Sequence, residues 1–190
     1  MSEARAEVGS AEARPVISFA GFSSRDESLL AAWAEFRAPL ARSAAVRIAP
    51  ADRIPDERVQ SHRGSPPLSN KERMPVGFWR LVAANHRELG RSFVLYDDFS
   101  RAREHVARLQ SVALTTMIVP GPRSGTRGWV LRHDDRPVLM CSRWHESHSA
   151  CAASAEGARS ALAVARVALS PEVRGRSGRV RRTVPDALHA

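Results

Sequence analysis

The sequence has little lysine, little cysteine and no long apolar run. Lysine occurs once, as Lys71, and arginine supplies the remaining cations. Two cysteines are too few for a disulfide-based fold and are typical of a reducing compartment. A transmembrane helix needs about 18 or more consecutive apolar residues, and no such run is present. Because the first residues also lack the basic-then-apolar pattern of a secretion signal, we expect a cytoplasmic protein without membrane association.

Recognisable catalytic motifs are also scarce. The sequence contains no glycine-rich phosphate loop and no His-Glu-x-x-His motif. One cluster has the residue types of a metal site: Cys141, His145, His148 and Cys151. Its order matches no zinc signature, and its two cysteines suit an inward strand position and a small helix-face position. We therefore expect a non-enzymatic protein without a cofactor. The alternative is a zinc-binding or Cys/His-dependent enzyme that uses these four residues.

Positive charge is abundant. The 190-residue chain carries a formal net charge of +9. Residues 1–70 contain as many arginines as acidic residues, so the excess lies in the rest of the chain. Such an excess favours anionic partners, either nucleic acid or an acidic protein. The alternative is that it reflects only the arginine-rich composition.

Residues 78–92 and 128–142 resemble each other. Without a gap, the following pairs align: Trp79 with Trp129, Leu81 with Leu131, Leu89 with Leu139, and Ser92 with Ser142. Beyond Ser142 the two stretches differ in length, and Trp144 takes the place of Tyr96. Self-similarity at a fixed spacing predicts a duplicated supersecondary unit.

Each stretch opens a unit of the same plan. Alternating apolar residues predict two strands joined by a turn, followed by a helix with an apolar stripe. The first unit, residues 76–119, ends in a β-branched strand, and the second unit covers residues 127–169. These units predict an α+β fold, in which one antiparallel sheet carries helices on one face.

The flanks have different compositions. Residues 1–75 are predicted to be mostly disordered, with one amphipathic helix at about 25–38 that ends before Pro39. The helix either docks on its own domain or on a partner. Five prolines between residues 49 and 75 predict a linker. Residues 170–190 are arginine-rich without periodicity, which predicts a disordered tail.

The pattern of the units is similar to that of the YegP-like family of unknown function. The matching positions are Phe78-Trp79, Leu81, Ala83-Ala84-Asn85, Ser92 and Tyr96, and in the second unit Trp129, Leu131, Asp135, Ser142 and Trp144. The resemblance covers about residues 76–165. It implies tandem β-β-β-α-β units merged into one sheet, with terminal strands that cross between units. It implies no catalytic residue, because the family has no established chemistry.

Arginines recur on the predicted strands and turns beside tryptophans. The candidate binding residues are Arg80, Arg87, Arg91, Arg132, Arg136, Arg143 and Trp144. Arginine with aromatic side chains on a sheet is a common platform for single-stranded nucleic acid, provided that the tryptophans are exposed. We therefore expect a non-catalytic module that binds protein or nucleic acid. A third possibility is self-association through sheet edges.

Overall fold

The structure is a computed structural model that describes residues 14–22, 28–44, 76–174 and 180–181. In that part of the chain, three helices and nine strands are present. The helices are α1 (Ser28–Ala44), α2 (Phe99–Gln110) and α3 (His148–Val164). The strands are β1 (Val16–Phe22), β2 (Val76–Val82), β3 (Glu88–Ser92), β4 (Thr115–Pro120), β5 (Arg127–His133), β6 (Arg136–Cys141), β7 (Arg166–Val167), β8 (Glu172–Arg174) and β9 (Val180–Arg181).

All of these strands belong to one sheet, ordered β4-β5-β6-β3-β2-β1-β8-β9, with β7 also paired to β1. The pairings are antiparallel except those of β7 and β8 with β1. The expected α+β class with a largely antiparallel sheet is therefore confirmed. None of the helices in the described residues is long and apolar enough to cross a membrane.

Two halves of the sheet have the same plan, β2-β3-α2 and β5-β6-α3. Asp98 caps α2 by accepting from the Arg101 backbone N–H, and Ser147 caps α3 by accepting from that of Ala150. When the two helices are aligned on these cap residues, the buried residues of α2 fall on buried residues of α3. The matched pairs are Ala102 with Cys151, Val106 with Ala155, and Leu109 with Ala158.

The gapless alignment slips by one residue after the first hairpin turn. Ser92 and Cys141, rather than Ser142, occupy equivalent places: the Trp79 N–H donates to Ser92 Oγ at 3.2 Å, and the Trp129 N–H to Cys141 Sγ at 3.4 Å. The cause is turn length. The Ala83 N–H still donates to the Arg87 carbonyl, so the three residues 84–86 close the first hairpin, whereas Asp134 and Asp135 alone, both with positive φ, close the second.

The slip also moves the aromatic match. Tyr96 forms a single bridge pair with Gly77, and the equivalent bridge pairs His145 with Arg127. His145, and not Trp144, therefore corresponds to Tyr96.

Helices cover both faces of the sheet. Side chains alternate along a strand, so Trp79 and Phe78 point to opposite faces. Phe19, beside Trp79, packs edge-on against Phe99 of α2, whereas Phe78 stacks on Trp33 of α1. Helices α2 and α3 share one face, as expected, and α1 covers the other.

The boundary expected at residue 76 is corrected by these contacts. Strand β1 pairs along its whole length with β2, and its Ile17 and Phe19 are fully buried. In α1, Trp33 Nε1 donates to the Ser92 carbonyl at 3.0 Å and Arg37 Nε to the Phe93 carbonyl at 2.7 Å. The amphipathic helix therefore docks on its own domain.

Two further expectations about the flanks need correction or lie outside the structure. Pro39 lies inside α1 and does not end it, since Leu40 is buried beyond it and anchors the last turns. Strand β8 pairs with β1 and β9 with β8, so part of the expected tail is in the sheet. The proline-rich linker lies outside the described residues.

We predict that Phe19→Ala lowers the free energy of unfolding of the whole domain by about 3–5 kcal/mol, because it leaves a cavity between β1 and α2. Urea denaturation checks this value. Leu169→Ala is the control, since Leu169 is 82% exposed and its loss should change stability by about 0.5 kcal/mol or less. An unchanged stability for Phe19→Ala would show that β1 is not part of the cooperative unit.

Candidate functional site

Three of the candidate arginines are held by carboxylates. Arg80 lies opposite Arg91 across β2 and β3, an arrangement that is unfavourable for two unpaired cations. The ion pairs that neutralise the three are Arg80–Glu172 at 3.4 Å, Arg91–Glu88 at 2.6 Å and Arg132–Asp135 at 2.6 Å. These arginines therefore have little free charge to offer a ligand.

The other three, Arg87, Arg136 and Arg143, are exposed but do not converge. The hairpin turns lie at opposite ends of the sheet because β3 and β6 are antiparallel. Ser142 Oγ donates to the Glu88 carbonyl at 2.8 Å, which places Arg143 beside the turn that carries Arg87. Arg136 follows the other turn. The six arginines thus form no single surface.

The paired tryptophans are core residues. Trp79 and Trp129 are both 0% exposed, and their indole N–H groups are satisfied internally. Trp79 Nε1 donates to the Tyr96 hydroxyl and Trp129 Nε1 to Ser154 Oγ, each at 3.1 Å. Neither ring is available for stacking on a base.

Trp144, in contrast, is partly exposed in a groove beside α1. Its ring packs against Phe36 with centroids 4.9 Å apart. A Cβ on Gly128 would lie 2.6 Å from the Trp144 ring and 2.7 Å from Leu40 Cδ2, so only glycine lets both approach β5 this closely. The groove encloses about 400 Å³. It is lined by Ala32, Glu35, Phe36, Pro39, Arg42, Pro122 and Trp144.

Of the residues that line this groove, the sequence predicted only Trp144 as a binding residue. A helix that ends before Pro39 places no further turn beside Phe36. The continuation of the stripe to Leu40 was the available signal, because Trp33, Phe36 and Leu40 keep helical spacing across the proline.

The cysteine and histidine cluster does not form a metal site. Cys141 and Cys151 are fully buried, His145 is 5% exposed and His148 is exposed. Among the described residues, no group of three or more His, Cys, Asp or Glu side chains is positioned to hold a metal ion. The alternative that used these four residues as a metal site is therefore corrected, because two of them fill the core.

The thiols are also unreactive. Burial raises the pKa of Cys141 to about 12 and that of Cys151 to about 11. Both remain protonated near neutral pH, so neither thiol is activated as a nucleophile. Burial, with the nearby Arg143 charge, lowers the pKa of His145, whose Nε2 has no hydrogen-bond partner.

A buried polar chain links β2 to α2. The Tyr96 hydroxyl accepts from Trp79 Nε1 and lies 2.5 Å from His105 Nδ1. Burial raises the pKa of Tyr96 and, with the Arg108 and His133 charges, lowers that of His105 to about 4. The tyrosine thus stays protonated, and its O–H donates a hydrogen bond to Nδ1 of the neutral imidazole. The indole N–H of Trp79 and the hydroxyl of Tyr96 are therefore both satisfied inside the core, and the arrangement stabilises the packing of α2 on β2.

Comparisons with known proteins found no family model, no curated protein and no solved structure that matches this chain.

We predict that stability falls as the pH drops from 6.5 toward about 4, in part because of His105. The folded protein keeps this imidazole neutral, whereas the unfolded chain protonates it at its usual value of 6.5. The unfolded state therefore binds more protons in this window, which favours unfolding. The His105→Gln variant lacks the imidazole, so its free energy of unfolding should change less with pH. Urea denaturation at neutral pH and near pH 4 measures this change.

The matched control for this experiment is His148→Gln, which removes an exposed histidine from the first turn of α3. Its free energy of unfolding should change with pH as much as that of the parent protein. If the free energy of His105→Gln also changes as much as that of the parent, the buried imidazole does not contribute to the acid sensitivity.

Proposed function

We propose that the protein is a non-catalytic interaction module that binds an extended, proline-containing segment of an acidic protein in the groove between α1 and Trp144. The observation that carries this proposal is the pair of Phe36 and Trp144, which is partly exposed beside Pro39 and Pro122. Aromatic-lined grooves suit polyproline II segments, which are rigid before binding and lose little entropy.

Charges on the groove support an oriented peptide. Glu35 and Arg42 are both exposed and lie two helical turns apart on α1, a rise of roughly 10 Å. A peptide along the helix would meet a carboxylate at one end and a guanidinium at the other. The net positive charge of the chain and the exposed Arg143 beside Trp144 favour an acidic partner.

Membership of the YegP-like family is part of the same proposal. The shared strand-turn-strand-helix plan and the matching tryptophans support it. So does the crossing of a strand between units, since β4 follows α2 but pairs with β5 of the second unit. A non-catalytic role agrees with protonated thiols and with an imidazole already bonded to Tyr96. We also propose that the protein is cytoplasmic, because both of its cysteines are free thiols, as is usual in a reducing compartment.

We expect a fluorescein-labelled proline-rich peptide with glutamates at one end to bind saturably in fluorescence anisotropy. A peptide with glycine in place of proline and the same charge should bind more weakly, because it must be ordered on binding. Trp144→Ala removes an aromatic anchor and should weaken binding by about 2 kcal/mol, or roughly thirtyfold. Leu169→Ala, which removes an exposed apolar side chain outside the groove, should bind like the parent.

Circular dichroism and the thermal midpoint of Trp144→Ala establish that the variant is folded. The groove proposal fails if no saturable binding occurs, or if the folded Trp144→Ala variant binds the proline-rich peptide as tightly as the parent does.

Binding of single-stranded nucleic acid is the second candidate. It is favoured by exposed Arg87 and Arg143 at one end of the sheet, next to the partly exposed Trp144. Phosphate contacts release counterions, so such binding should weaken steeply as salt increases.

For this candidate, we expect a labelled oligothymidine to bind at low salt and to weaken near physiological salt. Replacing both arginines in Arg87→Gln/Arg143→Gln should reduce affinity and make the salt dependence shallower. Arg80→Gln is the control, because its guanidinium already pairs with Glu172. The absence of binding at low salt would eliminate this candidate, and equal binding by the double variant would exclude these two arginines as the contact.

A further inference from the structure

Strand β4 forms one end of the sheet and is paired only with β5 among the described residues. Its six residues, Thr-Thr-Met-Ile-Val-Pro, include no charged side chain, and Thr115 and Thr116 are exposed. Helices α1 and α3 pack against the two faces of β4. Its outer hydrogen-bonding edge is therefore the part of the strand that is left uncovered by these helices. Edge strands are normally protected by charges, bulges or a covering element. An uncharged, β-branched edge is a template for an added strand.

The corresponding strand in the other half of the sheet is closed. Strand β1 lies beside β2 as β4 lies beside β5: Phe19 faces Trp79, and Ile118 faces Trp129. The outer edge of β1 is occupied by β7 and β8. The outer edge of β1 is therefore paired with further strands. The equivalent outer edge of β4 is paired with no described segment of this chain.

We propose that two copies of this chain associate through β4 in an antiparallel pairing centred on Met117. A twofold axis at this residue joins the two sheets and keeps α3 of both copies on the same face, because directly opposed residues then share a face. Met117 faces itself, Thr116 faces Ile118 of the second copy, and Thr115 faces Val119. A centre at Ile118 is less favourable, since it sets Pro120, which has no N–H, opposite Thr116.

The absence of charge on β4 lets a second copy bind there. Each chain carries a formal net charge of +9, which elsewhere opposes the approach of an identical chain. The paired β4 strands oppose only threonine, methionine, isoleucine and valine, and no like charges face each other. The molecule already contains a joint of this kind: β3 and β6, equivalent strands of the two halves, pair antiparallel over three residue pairs. The β4 ladder would be longer.

Sedimentation velocity of the full chain, from low-micromolar to submillimolar concentration, tests the proposal. The parent should form dimers. Thr116→Lys places a cation opposite Ile118 in each half of the interface and should raise the dissociation constant roughly tenfold or more. Ala107→Lys adds the same charge to the exposed face of α2 and should leave dimerisation unchanged. Circular dichroism establishes that both variants are folded.

Cysteine cross-linking tests the register, independently of any change in stability. Met117→Cys should give a disulfide-linked dimer on mild oxidation, and Ala107→Cys, on α2, should not; the two native cysteines are buried. The proposal is overturned by a parent that stays monomeric at all concentrations, or by a folded Thr116→Lys variant that dimerises like the parent. A monomer whose β4 amides resist hydrogen exchange would show that another segment of the chain covers the edge.

Discussion

The junction of β3 and β6 holds the two halves of the sheet together. Gly90 pairs with Cys141, Arg91 with Met140 and Ser92 with Leu139. Gly90 is equivalent to Leu139 and Ser92 to Cys141, so the pairing is symmetric about the central Arg91–Met140 pair. The approach is close. A Cβ on Gly90 would lie 2.7 Å from the Met140 carbonyl oxygen and 2.9 Å from the Trp129 ring. The second half has Leu139 at the equivalent position, so the small residue on one side makes room for the larger residues on the other.

Helix α1 depends on this junction. Trp33 packs on Phe78 in one half, Leu40 contacts Gly128 in the other, and Phe36 lies between them with the Arg91 guanidinium 5.9 Å from its ring. A single helix therefore crosses the approximate twofold axis and contacts both halves. The groove forms where the twofold relation fails. Gly128 occupies the position equivalent to Phe78, and Trp144 and Leu40 fill the space that a side chain there would take.

Local patterns predicted the units but not their long-range partners. Alternation and helical stripes identified both hairpins and the helices α2 and α3, because those signals are contained in neighbouring residues. The register slip depended on turn length, which an alternating pattern does not determine. Strand β1 lies in a segment that the sequence predicts to be mostly disordered, because the strand that pairs with it, β2, is distant in the chain. For the arginines, strand positions were predictable. The Arg80–Glu172 pair was not, because it joins residues far apart in the chain.

The two halves of the sheet satisfy the same buried group in different ways. Each central indole N–H must find an acceptor in a dry core, since an unpaired donor there costs about 1–3 kcal/mol. In the first half the Tyr96 hydroxyl accepts from Trp79 Nε1 and donates a hydrogen bond to His105 Nδ1. In the second half Ser154, which occupies the position equivalent to His105, accepts from Trp129 directly. His145, the counterpart of Tyr96, takes no part in this hydrogen bond, and its buried Nε2 has no partner. A histidine that the sequence placed in a candidate metal cluster thus occupies the position that the tyrosine of the polar chain occupies in the first half.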